Sequence, residues 1–319
     1  MNSNNAKSLK GLTIAGGCWR ECAFHKPAII SVPPTTPIAD AMKTMAKANV
    51  TSLAIQSHSN PAKIVSVVTS MDFMHFLLKK EAGKGPDGEG VKAALADSVE
   101  QAETLDNDTE SYRTVEFDVM DTLEPVIRSF SLRIHRAIVT DATHRMSPFM
   151  LTQTDLIKYA AAHPDLYTSL VDPAATVSSL FLSTDAIAPP KRPVVFVTQS
   201  MTAWEALAVL ARENLRAVPV LDMEGGEVVA TLGVADLRGI TEVVMYRFKM
   251  PLLEFLSWNR ASHLVPTVGL PSTSFADLLR LMVDSGSHEV WVVHGEDKGS
   301  RKVVGVVSHS DVVAVWRGK

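Results

Sequence analysis

A single pattern recurs four times along the 319 residues of this chain. Repetition at a long, near-constant period constrains the fold more than any local propensity, because every copy must adopt the same supersecondary unit. Each copy opens with an extended stretch, continues through an amphipathic helix and two apolar strands, and closes with a short helix headed by an aspartate. The closing aspartates, Asp72, Asp155, Asp236 and Asp311, follow one another at 83, 81 and 75 residues.

Periodicity supplies the elements. Ile38, Met42, Met45 and Ala46 recur at helical spacing, as do Trp204, Leu207, Ala208 and Leu210. Thr35–Thr36, Ser200–Thr202 and Ser272–Ser274 precede these runs as candidate caps. Short β-branched runs follow at 217–221, 228–232, 290–293 and 303–307, with turn residues at 224–226 and 297–299 between them. This predicts an α/β chain of four β-α-β-β-α units at 28–80, 112–163, 189–240 and 263–317, after an N-terminal segment 1–27. Glu81–Ser111, rich in glycine and acid, reads as a mobile surface segment with a short helix near Val91–Val99. Asp172–Arg192, rich in proline, alanine and serine, separates the chain into two tandem pairs. Ile240–Trp258 is strongly apolar and interrupted by Pro251. It reads as two helical pieces packing between repeats three and four, with a partner-docking surface as the alternative.

Composition narrows the class. Apolar residues make up 46 % and charged residues 21 %, enough to bury a core. Thirty-one basic against 35 acidic residues leave a net charge of −4, with no basic excess to hold nucleic acid. Two cysteines exclude a disulfide scaffold and suit a reducing compartment. No apolar run reaches the roughly 18–20 residues of a membrane span. A soluble protein of the cytoplasm or nucleus is expected.

The repeats end in strand-to-helix junctions of one type: Thr69-Ser-Met-Asp72, Thr152-Gln-Thr-Asp155 and Ser308-His-Ser-Asp311. Repeat three has Gly233 before Asp236. With these junctions the units resemble the CBS domain, named for cystathionine β-synthase, over most of the chain from Ala28 to Trp316. The four-repeat arrangement is similar to the γ-subunit of AMP-activated protein kinase and its plant relatives. The stretches Ile134-His-Arg-Ala-Ile-Val-Thr-Asp141 and Ser287-His-Glu-Val-Trp-Val-Val293 carry that likeness. The resemblance implies pairs of units packed through their sheets into a pseudo-symmetric disc. It also implies an adenine nucleotide (AMP, ADP or ATP) or other adenosyl compound as regulatory ligand, with protein kinase catalytic and scaffold subunits as partners.

The residues suit such a ligand. A helix N-terminus presents unpaired N–H groups and partial positive charge, and a carboxylate held there accepts hydrogen bonds from both hydroxyls of a ribose. Asp72, Asp155, Asp236 and Asp311, with Thr69, Thr152 and Ser308, are therefore candidate ribose contacts. Each junction also reads as an ordinary capping box. For phosphate the candidates are His135 and Arg136, with His309 and Arg216 as further cations. Arg216 is offset from the basic position of the resembling family. Thr51, Glu213–Asn214 and Glu289 stand where that family carries basic residues, so phosphate capacity is thinner than in the kinase subunit. A stand-alone adenosyl sensor with another partner is the competing reading. Cys18, Cys22 and His25 match no common zinc spacing. Contiguous Ser308–Asp311 cannot form a catalytic triad, and no other nucleophile–base set argues for an enzyme. Trp258, Trp291 and Trp316 read as core or interface residues.

Overall fold

The structure, a computed structural model, describes residues 8–17, 28–80, 85–103, 115–143, 146–182, 194–222, 226–260, 264–295 and 302–318. Four three-stranded sheets are present, one per repeat. In each, a short opening strand runs parallel to the second strand, and the second runs antiparallel to the third. The two apolar strands of repeats three and four run at Ala217–Leu221 and Val228–Gly233, and at Glu289–His294 and Lys302–Ser308, as their β-branched runs predict. The α/β class and the four units stand as expected.

The duplication is sharpest in the opening helices, Ile38–Ala48, Leu123–Phe130, Ala203–Arg212 and Phe275–Ser285. Each buries its first, fourth, fifth and eighth residues: Ile38, Ala41, Met42 and Met45 in repeat one, Phe275, Leu278, Leu279 and Met282 in repeat four. Repeats two and three do the same from Leu123 and from Ala203. That spacing lays one apolar stripe along the helix. Soon after each of these helices one residue takes positive φ, at Asn49, Arg133, Asn214 and Gly286, and this turns the chain into the second strand. The cap expectations hold at Thr202 and Ser274, whose hydroxyls accept from Glu205 and Asp277. In repeat one the cap position falls to Pro37, which has no side-chain acceptor.

The linkers act as clamps. Antiparallel bridges join Thr13 to Thr122, Pro37 to Ser98, Thr176 to Ser274 and Thr202 to Pro251, each at the start of an opening helix. After Lys80 the short helix expected near Val91–Val99 is present as two, Glu89–Leu95 and Val99–Ala102. Val91, Ala94, Leu95, Val99 and Ala102 are buried there, so burial outweighs the glycine-rich composition. The apolar stretch before repeat four forms a 3-10 helix, Glu242–Lys249, and an α-helix, Leu252–Arg260. It packs back on repeat three, with Leu252 N–H bonded to the Met201 carbonyl. Trp291 and Trp316 are buried in the core, whereas Trp258 is exposed beneath the Arg247 guanidinium, 3.9 Å from its ring.

Helix packing assembles two compact units. One holds repeats two and four with the segment after residue 8; the other holds repeats one and three. Each has its own apolar core, the first including Phe130, Phe275 and Trp316, the second Phe73, Leu207 and Phe255. Repeats alternate along the chain therefore share a core.

Candidate functional site

The four junctions are built alike. In repeat one the backbone N–H and hydroxyl of Thr69 both donate to Asp72 Oδ2, at 2.6 and 2.8 Å. Thr152 does the same to Asp155 Oδ2 at 2.8 and 2.7 Å, and Ser308 to Asp311 Oδ2 at 2.7 and 2.8 Å. The capping box is thus formed in full at three repeats. Repeat three retains half of it: Gly233 N–H donates to Asp236 Oδ2 at 2.8 Å. A Cβ on Gly233 would sit 3.2 Å from the Arg216 carbonyl oxygen and 3.3 Å from Ala217 Cβ, a tight fit. The helix that follows is a 3-10 turn, Val234–Leu237.

The aspartates differ in access. Asp72 and Asp236 are 0 % exposed and Asp155 is 7 % exposed. Asp311 is half-buried, the least enclosed of the four.

A second recurring bond sets the register between repeats. The residue after each junction position donates its backbone N–H to a carbonyl at the entry of the second strand: Ser70 to Thr51, Gln153 to His135, Val234 to Arg216, and His309 to His288. Their distances are 2.9, 3.0, 2.8 and 3.1 Å. Sheet register agrees, with Ser52, Arg136, Ala217 and Glu289 each opposite the junction residue. Arg216 therefore occupies the position of His135 and His288, and the apparent offset disappears. The sequence comparison with Glu213–Asn214 was displaced because that pair belongs to the helix exit, not to the strand entry.

In the unit of repeats two and four these positions converge on one polar cluster. The His288 and His309 rings lie 4.9 Å apart between centroids. Thr154 Oγ1 lies 3.4 Å from His288 Nε2, and Gln153 Nε2 donates to Ser310 Oγ at 3.0 Å. His309 is 5 % exposed. Burial first, then the neighbouring His288, His135 and Lys158, hold its pKa well below the ordinary 6.5, against a hydrogen bond from its ring to the Ser287 backbone. Arg136 is half-buried at the head of the adjacent strand. Sequence reasoning missed Lys158 and did not place His288 in the site. The signal for His288 was its position one residue before a strand, matching His135.

In the unit of repeats one and three, where Arg216 holds the strand-entry position, the surroundings of Ser70 are apolar. Met42, Met45, Met74 and Leu237 line a small cavity with Ser70, whose hydroxyl contacts Met45 Sδ at 3.5 Å. Cys18, Cys22 and His25 lie outside the described residues. Among the described residues no group of three or more His, Cys, Asp or Glu side chains is arranged to hold a metal ion, and no helix is long and apolar enough to cross a membrane.

Comparison with known proteins agrees with this construction. The CBS-domain pattern matches residues 22–79, 185–242 and 270–318, slightly more than half of the chain. Among solved structures the fold is similar to protein MJ1225 of Methanocaldococcus jannaschii, proposed as an archaeal homologue of g-AMPK. That likeness has a TM-score of 0.61 and 16 % identity, over 90 % of this chain and 95 % of that one. An uncharacterised conserved protein of Pyrococcus horikoshii matches with a TM-score of 0.50 and 16 % identity, over 91 % and 96 % of the two chains. No curated protein sequence matches. Residues 115–162, which the pattern passes over, carry the same strand order, helix stripe and capped junction as the other three units. With three repeats matched in sequence and the fourth built the same way, the chain belongs to the CBS-domain family.

Proposed function

We propose that this chain is a ligand-sensing regulatory subunit that binds an adenine nucleotide in the unit formed by repeats two and four. The observation that carries this reading is the convergence of His135, His288 and Lys158 on His309, two residues before the capped, half-buried Asp311 on the same helix. The free face of the Asp311 carboxylate accepts the ribose diol, and Ser308 keeps that carboxylate aimed. The cationic groups receive the phosphates of AMP, ADP or ATP, with Arg136 contributing from the neighbouring strand. Asp72 and Asp236, shut from solvent, serve as helix caps in this reading.

The regulated partner is a protein kinase of the AMP-activated type, in cytoplasm or nucleus. Support for it comes from the four-repeat organisation and the resemblance of the strand entries at His135 and His288. Regulation works by population shift: ligand favours one arrangement of the subunit, and the partner responds to that arrangement. A second reading, a stand-alone adenosyl sensor, is favoured by Glu289 at the position of Arg136 and by the apolar junction of repeats one and three. Neither reading assigns catalysis.

Calorimetric titration with AMP, ADP, ATP and S-adenosylmethionine tests the ligand. One of them binds, and Asp311→Ala and His288→Ala weaken it about tenfold or more, the loss of a charge-assisted contact. Affinity unchanged from the native chain in both variants overturns the site. Co-expression with kinase catalytic and scaffold subunits decides the partner: a complex that survives gel filtration supports the kinase, and its absence supports the stand-alone sensor.

A further inference from the structure

His309 breaks the pattern of its own repeat position. The equivalent residues are Ser70, Gln153 and Val234, none of which ionises. Gln153 satisfies its buried amide through the Phe130 carbonyl at 2.9 Å. His309 is equally enclosed, but only one ring nitrogen is provided for. Its ring bonds to the Ser287 backbone, and Nε2 is buried with no hydrogen-bond partner. The bond to Ser287 therefore uses Nδ1–H, which leaves Nε2 as the unprotonated acceptor of the neutral ring. The ionisable groups facing it are His288 before the last repeat's second strand, His135 before that of repeat two, and Lys158 on the helix Gln153–Ala162. All are bases. A proton on Nε2 would add a further buried positive charge to this set, so the free protein keeps the ring neutral.

An anion reverses that balance. A negative group among His135, His288 and Lys158 offsets their charge and offers an acceptor to a protonated Nε2. We propose that occupancy of this cluster by the anionic end of a ligand is coupled to uptake of a proton from solvent at His309 Nε2, so that the ligand is held more tightly as pH falls. The inference rests on the reading of this cluster as the ligand's anionic subsite. Linkage makes the sign definite: a base more easily protonated in the complex than in the free protein strengthens binding on the acid side. That gain disappears as pH rises through the value at which the bound form releases its proton.

Inorganic sulfate and adenosine 5′-sulfate are suitable probes, because neither titrates in the neutral range. In protein labelled at histidine Cε1, the His309 resonance is identified by its loss in His309→Gln, a variant that places the side chain of Gln153 at the equivalent site. If that variant fails to fold, His309→Asn identifies the resonance in its place, and His135→Gln and His288→Gln identify the two neighbouring histidines. Saturating sulfate should move the His309 titration midpoint upward by about one pH unit, equivalent to about tenfold tighter sulfate binding at acid pH than at alkaline pH. An unmoved His309 midpoint, with His135 or His288 responding to sulfate, overturns the coupling and leaves the nucleotide site standing. A moved His309 midpoint without binding of any adenosyl compound supports the coupling and overturns the nucleotide reading. If sulfate and adenosine 5′-sulfate disturb none of the three histidines, both are overturned.

Discussion

Gln153 of repeat two and Ser310 of repeat four are joined side chain to side chain, with Nε2 3.0 Å from Oγ. The same amide nitrogen also reaches the Phe130 carbonyl at 2.9 Å. Both residues start closing helices, so one buried amide ties the helix starts of two repeats that are 157 positions apart. Gln153→Ala removes the link between the two helix starts and leaves the Phe130 carbonyl with only the Arg133 N–H at 3.3 Å. It should lower stability by about 1–3 kcal/mol, read from the midpoint of chemical denaturation at unchanged slope.

The four aspartates should separate into structural and ligand-facing groups. Asp72→Ala strips the acceptor from the Thr69 N–H and hydroxyl in a fully buried setting and should cost about 1–3 kcal/mol. Asp311→Ala, at a half-open site, should cost only about 1 kcal/mol or less while lowering affinity for AMP. Thermal melts and titrations on the two variants check the contrast.

Gly233→Thr would restore the hydroxyl found in the other junctions, yet it should destabilise. The added Cβ meets the Arg216 carbonyl at 3.2 Å and Ala217 Cβ at 3.3 Å, and the strand pair must give way. Overpacking of this kind costs about 1–3 kcal/mol, measured by denaturation of the variant against the native chain.

Acid should weaken the fold through His309. Its folded pKa lies below the unfolded value near 6.5, so the unfolded chain binds more protons in that interval. The neutral ring's contribution to stability is complete above about pH 6.5 and is lost as pH falls toward the folded value. The melting temperature of the ligand-free protein should drop from pH 7.5 to pH 5.5, and the drop should shrink in His309→Gln.

Much of this could be read from the order of residues alone. A stripe such as Leu123, Val126, Ile127 and Phe130 predicts a helix buried on one side, because 3.6 residues per turn leave no other way to hide it. Thr69 and Asp72 stand three apart, and a capping box depends only on that local spacing. Repetition of both features identified four copies of one unit. The register of repeat three was less legible: Arg216 looked displaced because helix exit and strand entry run together in sequence. The hydrogen bond from Val234 to the Arg216 carbonyl and the pairing of Ala217 with Gly233 align it with His135 and His288. In the segment 89–102 a helix is legible from sequence, but composition does not report which neighbour buries Val91 and Val99.

What the chain's own order determined is local: the repeat, its strands and helices, and the carboxylate tied to each helix start, all set by contacts a few residues apart. Partnership between repeats was decided only in three dimensions. Apolar stripes are interchangeable among four similar helices, and their complementary packing joins repeat two to four and one to three. That choice brings His135 and Lys158 of repeat two to His309 of repeat four, and Leu237 and Ile240 of repeat three to the small cavity beside Ser70.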